Sequence, residues 1–341
     1  MKRAWVYLAL LAVAAAIPLF VKSPFWLGNL IWAWTFSLVA LSLRPLMYMH
    51  LINAAPGALM GIGAYTAALM ATELGLSIWL GFLGALAVPG LVALLIGLPV
   101  LRIRGVYFIV MTLAFNEVVR LIITHVEALG GAAGVGGIPR LSLGPLAFTS
   151  RIHYYYFSLF FLVLGVFFLM RLDRSRFGKA WKAIRENESL AEAVGINLMK
   201  YKLIAFVIGS MMAGAGGWLF AHYFRYISPL DFGIFRSIDL LIAIQFGGIV
   251  QLFGSVFGGL FLVLLPEFLR IYLAGTLPFF QKAEARQVVF GAAIMVAILF
   301  FPGGAVGLVQ KGAGRLGRMF RRGQDKDKAE VTAGVTGSGP S

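Results

Sequence analysis

The sequence predicts an all-α, polytopic membrane protein of about ten transmembrane helices, and three observations carry that reading. Of 341 residues, 60% are hydrophobic and only 13% charged, at a mean hydropathy of +0.89; a soluble domain carries roughly 25% charged residues. The apolar residues fall in runs of about 15 to 25, the length a helix needs to cross a hydrocarbon layer about 30 Å thick. The 29 Lys and Arg residues gather in the short connections between those runs and in the C-terminal tail, which is how a membrane protein distributes them. A soluble enzyme, a disordered scaffold and a collagen-like rod are excluded. The net charge of +15 forms no stripe on a soluble face, so no nucleic-acid partner is implied, and the absence of cysteine removes disulfides and thiol chemistry.

In chain order, Met1-Lys2-Arg3 precedes an apolar run over 4–21 with no small-residue cleavage site, which reads as a retained first helix. Further spans are expected over 26–43, 45–72, 76–101, 106–124, 154–170, 201–221, 238–250, 253–273 and 287–301. With the N-terminus in the cytoplasm, 20 of the 29 basic residues lie on the cytoplasmic side, eight of them between Arg171 and Lys202. An even number of spans then keeps both termini in the cytoplasm of a multi-pass inner-membrane protein. The transmembrane domain is expected over 1–310. The tail over 311–341 is first basic and then rich in Gly, Ser, Thr and Pro, too poor in apolar residues to offset its ordering entropy.

Two stretches interrupt the spans. Asn53-Ala-Ala-Pro56-Gly57 is expected to kink the third span, because proline removes a backbone donor. Gln245, Gly247, Gly248 and Gln251 belong to a run that reaches Gly259 and puts two glutamines and a serine among five glycines at membrane depth. Backbone that leaves the helix there must be buried in protein or line a water-filled path, so two short or broken helices are expected to meet near Val250. Interruptions at comparable places in two halves point to an inverted-repeat transporter with a central site. Glycines 57, 61 and 63, and again 214, 216 and 217, make helix faces almost free of side chains, suited to tight packing.

Ionisable residues within spans are few. Glu117 and Arg120 are three apart and are expected to pair on one helix face; Asp239 and Glu267 have Arg236 and Arg270 nearby as neutralising partners. The four histidines are scattered without metal-ligand spacing, so no metal or other cofactor is expected, and no phosphate-binding glycine loop is present to hydrolyse nucleotide. The chain reads as a transport protein and not an enzyme. An ion-coupled secondary transporter would need an acid or histidine relay deep in the membrane, whereas these charges lie toward span ends.

The longest polar stretch before the tail is Arg174 to Lys202. Ala180, Ile184, Leu190, Ala191 and Val194 recur there at helical spacing with Arg185, Glu186, Glu188 and Glu192 opposite, which predicts two short amphipathic helices ended by Gly195. This stretch, F-G-K-A-W-K-A-I-R-E-N-E-S-L-A-E-A-V-G-I from Phe177, resembles the coupling loop of ATP-binding cassette importer permeases, specifically the branched-chain amino acid permease family. The resemblance extends to G-I-G-A-Y-T-A-A-L from Gly61, L-R-I-R-G-V-Y-F-I-V-M-T-L-A-F-N-E-V-V-R from Leu101, G-G-A-A-G-V-G-G-I-P-R from Gly130, A-H-Y-F-R-Y-I-S-P from Ala221 and G-G-I-V-Q-L-F-G-S-V-F-G-G from Gly247.

The resemblance implies a permease subunit that moves a small solute, branched-chain or other hydrophobic amino acids. It implies as partners two cytoplasmic ATP-binding subunits, a second permease subunit in a heterodimer and an extracytoplasmic solute-binding protein. Carried over by position, Gly178, Ala180, Arg185, Glu188, Ala191, Glu192, Ala193 and Gly195 would form the surface that couples to the ATPase, and the loop over 130–139 would face the binding protein. Asn53, Pro56, Glu117, Arg120, Gln245, Gly247, Gly248 and Gln251 are the candidates for the translocation path. One stretch departs from the family: where many relatives have Gly-Gln and then Ser-Leu-Gly, this chain reads M-H-L-I-N-A-A-P-G-A-L from Met49. That leaves urea and short amides open beside amino acids as the solute.

Overall fold

A chain segment surrounded by hydrocarbon has to satisfy its own backbone hydrogen bonds, and helices do so locally. A computed structural model describes residues 2–272 other than 22, 104, 144–145 and 250–251, together with 291–292 and 295. The described helices are α1 (Lys2–Phe20), α2 (Pro24–Ser42), α3 (Arg44–Met47), α4 (Pro56–Thr72), α5 (Ile78–Val100), α6 (Val106–His125), α7 (Arg151–Arg174), α8 (Arg176–Glu186), α9 (Glu188–Ala193), α10 (Leu198–Phe224), α11 (Ile234–Gly247) and α12 (Leu252–Tyr272). Four two-residue strands form two antiparallel pairs, β1 (Val135–Gly136) with β4 (Tyr226–Ile227) and β2 (Ser142–Leu143) with β3 (Leu146–Ala147).

Six described stretches are long and apolar enough to cross a membrane: Pro24–Met47, Ile78–Val100, Val106–His125, Arg151–Arg174, Leu198–Phe224 and Leu252–Ile271. Helices α4 and α11, with 17 and 14 residues, are shorter, and each is entered through non-helical chain. The span expected over 287–301 lies outside the described residues apart from 291–292 and 295, as does the whole tail over 311–341.

Helix α10 is the axis of the assembly, packed against α4, α5 and α2, while α2 also carries α7 and α12. Enclosure differs accordingly. The most apolar stretch of α2, with α3, is 94% buried and those of α6 and α12 only 28%, so the outer helices leave most of their apolar surface uncovered by this chain. The glycines of the two small-residue faces are where the helices meet. A Cβ on Gly63 would overlap the backbone of Gly214, one on Gly214 would strike the Ala85 carbonyl, and one on Gly217 would strike the Met60 carbonyl. Three helices therefore cross at backbone-to-backbone distance, as close approach through small residues allows.

The third span is not a kinked helix. Helix α3 stops at Met47, residues 51–55 are non-helical, and Pro56 opens α4 as its first residue. Proline at that position loses no hydrogen bond, because the first N–H groups of a helix have no intrahelical partner, and it disfavours helical geometry in the residue ahead of it. His50, with φ of 61°, makes the turn into the non-helical segment. The other short helix is entered in a similar way: Arg225, with φ of 60°, ends α10, then β4 and a 3-10 turn over Pro229–Phe232 lead into α11. Helices α11 and α12 do meet beside Val250, as expected, with Gly247 against Gly254 and Ala243 against Gly258. Only α11 is short; α12 runs for 21 residues.

Candidate functional site

At the end of the bundle where α7 stops and α10 starts, the predicted pair of short helices is present. Ser175 caps α8 by accepting from the Phe177 N–H at 3.1 Å, and Asn187 caps α9 by accepting from the Leu190 N–H at 3.0 Å. Gly195, at φ of 87°, turns the chain out of α9 in a conformation that favours glycine, and Asn197 then caps α10 through the Lys200 N–H at 3.0 Å. The inner face consists of Gly178, Ala180, Trp181, Ile184 and Ala191, all buried. Trp181 donates its indole N–H to the Tyr201 carbonyl at 3.1 Å, fixing α8 to α10.

Leu190 and Val194 do not share this inner face. They are 64% and 70% exposed and stand outward with Glu192, Ala193 and Gly195, because α9 has little more than one turn and only Ala191 reaches the bundle. The result is an apolar outward patch next to an acidic side chain.

Two contacts run inward from the pair. Glu188 of α9 forms an ion pair of 2.7 Å with Lys202 of α10, whose side chain is 7% exposed. Arg185 of α8 lies over the ring of Tyr48, 4.8 Å from its centroid, and Arg44 lies over the same ring at 5.2 Å. Arg44 also pairs with Asp173 at the end of α7, at 2.9 Å. Tyr48 is the first residue after α3, so α8 grips the chain at the point where it leaves the helix for the non-helical segment.

That segment ends in a buried polar knot. A helix leaves its first N–H groups without intrahelical partners; in α4 side chains from α6 and α11 take up two of them, and a third side chain, from α6, holds the residue ahead of the helix cap. Thr112 accepts from the Ala54 N–H at 3.0 Å, Asn116 from Ala58 at 2.7 Å and Ser237 from Gly57 at 2.9 Å. Ser237 donates its hydroxyl to the Asn116 carbonyl oxygen at 2.9 Å, and the Asn116 amide donates to the Phe232 carbonyl at 3.3 Å. Asn53 accepts from the Ala55 N–H at 3.0 Å. Asn116 and Ser237 have no exposed surface, so the knot holds α4, α6 and α11 together without water.

The residues singled out in the sequence separate into groups. Asn53 and Pro56 are buried at the entry of α4. Glu117 and Arg120 pair with each other on α6, as expected, the Arg120 Nε lying 3.0 Å from both carboxylate oxygens, with side chains 33% and 24% exposed. Gly247 is buried and Gly248, at φ of 100°, ends α11; Gln245 is exposed and Gln251 lies outside the described residues. Glu267 pairs with Arg270 at 3.0 Å, whereas Arg236 donates to the Asp231 carbonyl at 3.1 Å instead of engaging Asp239 in an ion pair. Thr112, Asn116 and Ser237 were missed. Their signal was a hydroxyl and an amide four residues apart in the middle of an apolar span.

The loop over 130–139 is held in place. Besides the β1–β4 pairing, the Arg225 Nε donates to the Ile138 carbonyl at 3.1 Å and Tyr226 donates to the Ala133 carbonyl at 2.7 Å.

A family profile described as the permease component of the branched-chain amino acid transport system matches residues 26–299. The chain belongs to this family. It is 34% identical, over 242 residues, to the high-affinity branched-chain amino acid transport system permease protein LivM of Escherichia coli (strain K12), which covers 63% of this chain and 56% of that one. It is 30% identical to the LivH permease protein of the same strain over 133 residues, 39% and 40% of the two chains. A probable LivM protein of Methanocaldococcus jannaschii is 27% identical over 224 residues, 61% and 62% of the two. The chain thus spans little more than half the length of the curated LivM relatives it matches. No solved structure matches it. The family is described as the permease component of a transport system.

Proposed function

We propose that this chain is a permease subunit of an ATP-binding cassette importer that carries branched-chain or other hydrophobic amino acids across the cytoplasmic membrane. The observation that carries the proposal is the link from α8 through Tyr48 to the interrupted entry of α4. A passive channel has no use for a short amphipathic helix pair with an outward apolar patch at one end of the bundle that grips the chain leading into a broken helix. An importer does. When two cytoplasmic ATP-binding subunits close on ATP, the patch of Leu190, Glu192, Ala193, Val194 and Gly195 moves with them. Arg185 carries the movement to Tyr48, and Glu188 carries it to α10 through Lys202. The ATPase pair binds the two permease states with different affinity, and that difference shifts the population between them.

The names of the LivM and LivH relatives support amino acids as the solute and a second, distinct permease as partner, with an extracytoplasmic solute-binding protein at the loop over 130–139. The departure around Met49–Leu59 does not count against amino acids, because Asn53 is turned to its own backbone and Pro56 opens a helix. Ten spans in two inverted halves, with both termini in the cytoplasm, are supported by the two interrupted entries. One follows α2 and the other follows α10, helices of opposite direction, and each begins at a left-handed non-glycine residue.

The test is to purify the tagged chain from its native membrane in mild detergent, identify its companions by mass spectrometry and reconstitute them. ATPase subunits and a second permease should accompany it, with leucine uptake that depends on ATP and ignores a proton uncoupler. A chain that stays alone and transports without ATP would overturn the proposal.

A further inference from the structure

Besides the coupling face and the polar knot, the structure contains a cavity of about 220 Å³ between α2, α11 and α12. It is smaller than the roughly 300–1,000 Å³ of sites for drug-sized ligands, so it suits one small solute. Arg236 and Asp239 of α11 face it, three residues apart. At that spacing opposite charges on a helix ordinarily pair. Here the Arg236 Nε is bound to the Asp231 carbonyl, its guanidinium lies 4.9 Å from the centroid of the Trp32 ring, and neither residue is among the ion pairs of the described residues. Glu267, also at the cavity, is taken by Arg270. Asn29 also lines the cavity, with its amide nitrogen enclosed within the protein.

An intramembrane charge is costly and marks a functional position by default. A cation and an anion that line one cavity without an ion-pair contact define what would satisfy them: a solute that bears both charges close together. The remaining wall, Trp32, Leu262 and Val263, is apolar.

We infer that this cavity binds the solute as a zwitterionic α-amino acid. The carboxylate is received by Arg236, the ammonium by Asp239, and an aliphatic side chain lies against Trp32, Leu262 and Val263. A guanidinium matches a carboxylate with two parallel hydrogen bonds, which no ammonium side chain reproduces. Urea and short amides, which carry no charge, would leave Arg236 and Asp239 unmatched. The inference rests on the importer reading and adds to it the place and the chemistry of recognition.

The chain contains no cysteine, so a single Val263→Cys substitution reports on the cavity alone. In the reconstituted importer, leucine should slow modification of that cysteine by a charged methanethiosulfonate reagent several-fold, and urea should not. Arg236→Gln and Asp239→Asn should each reduce ATP-dependent leucine uptake by about tenfold or more, the scale for removing one partner of a buried charge contact. Arg236→Lys should recover part of it, and all variants should still co-elute with their partners. Unchanged uptake in both neutral variants, or equal protection by urea, would overturn the inference while leaving the importer reading intact. A native assembly with no ATP-dependent leucine uptake would overturn the importer reading itself, and this inference with it.

Discussion

Asn116 concentrates more structural work than any charged residue of the spans. Its carbonyl oxygen accepts from both Ala58 and Ser237 while its amide holds the Phe232 carbonyl, so one side chain joins α4, α6 and the entry of α11. Truncation by Asn116→Ala removes the partner of the Ala58 N–H, the Ser237 hydroxyl and the Phe232 carbonyl in a fully buried site, each worth about 1–3 kcal/mol. Ser237→Ala strands only the Gly57 N–H, since Asn116 keeps its bond to Ala58. Thermal unfolding of the detergent-solubilised protein should therefore rank Asn116→Ala clearly below Ser237→Ala, and equal midpoints would show that the knot is not cooperative. In the sequence only the Thr112–Asn116 spacing hints at the knot, and its partners are not legible. Glu117, one residue further along, stands out instead, because a charge in a span is conspicuous. A neutral amide whose partners are 58 and 121 residues away is not.

At the scale of elements, the short helices were legible and their inner face only in part. Periodicity placed α8 and α9 and the turn at Gly195, yet it could not tell that a helix as brief as α9 has room for one inward residue, which left Leu190 and Val194 outside. The kink expected at Pro56 became a full break because the stretch before it contains His50, able to adopt a left-handed turn, a conformation that local sequence does not announce. Two element-level outcomes follow. Removing one partner of a buried ion pair costs about 3–5 kcal/mol, less where a partner is partly wet, as Glu188 is. Glu188→Gln and Lys202→Met should each lower uptake, and the double variant should lose less than the two singles combined; strict additivity would remove the pair from the coupling route. Helix α10 gives the other case. Gly217→Ala places a methyl group on the Met60 carbonyl and should cost about 1–3 kcal/mol or more, whereas Gly136→Ala, with only the Tyr226 ring at 3.6 Å, should be close to neutral.

For the whole molecule, the membrane class follows from composition, while the way the chain threads follows from where charge sits. If each of α1, α2, α4, α5, α6, α7, α10, α11 and α12 marks one crossing, residue 272 stands on the face opposite the N-terminus. The basic tail must then cross once more, over 287–301, to share a face with the eight basic residues between Arg171 and Lys202. Charge bias thus disfavours one span more or fewer, since either would part the tail from that basic loop. The paired ends fix the parity of an earlier stretch: Arg44 holds Asp173, and Arg151 holds the Pro24 carbonyl at the other end of the same two segments, so α2 and α7 run parallel and an even number of crossings separates their starts. Because the native chain has no cysteine, single cysteines can be placed at Lys182, Gly137 and Arg315 and labelled in sealed cells with a membrane-impermeant maleimide. Gly137→Cys should react from outside, while Lys182→Cys and Arg315→Cys should react only after permeabilisation. External labelling at Arg315→Cys with Lys182→Cys protected would remove the last crossing and leave nine spans, and external labelling at Lys182→Cys would place the coupling face on the side without ATP and end the importer reading.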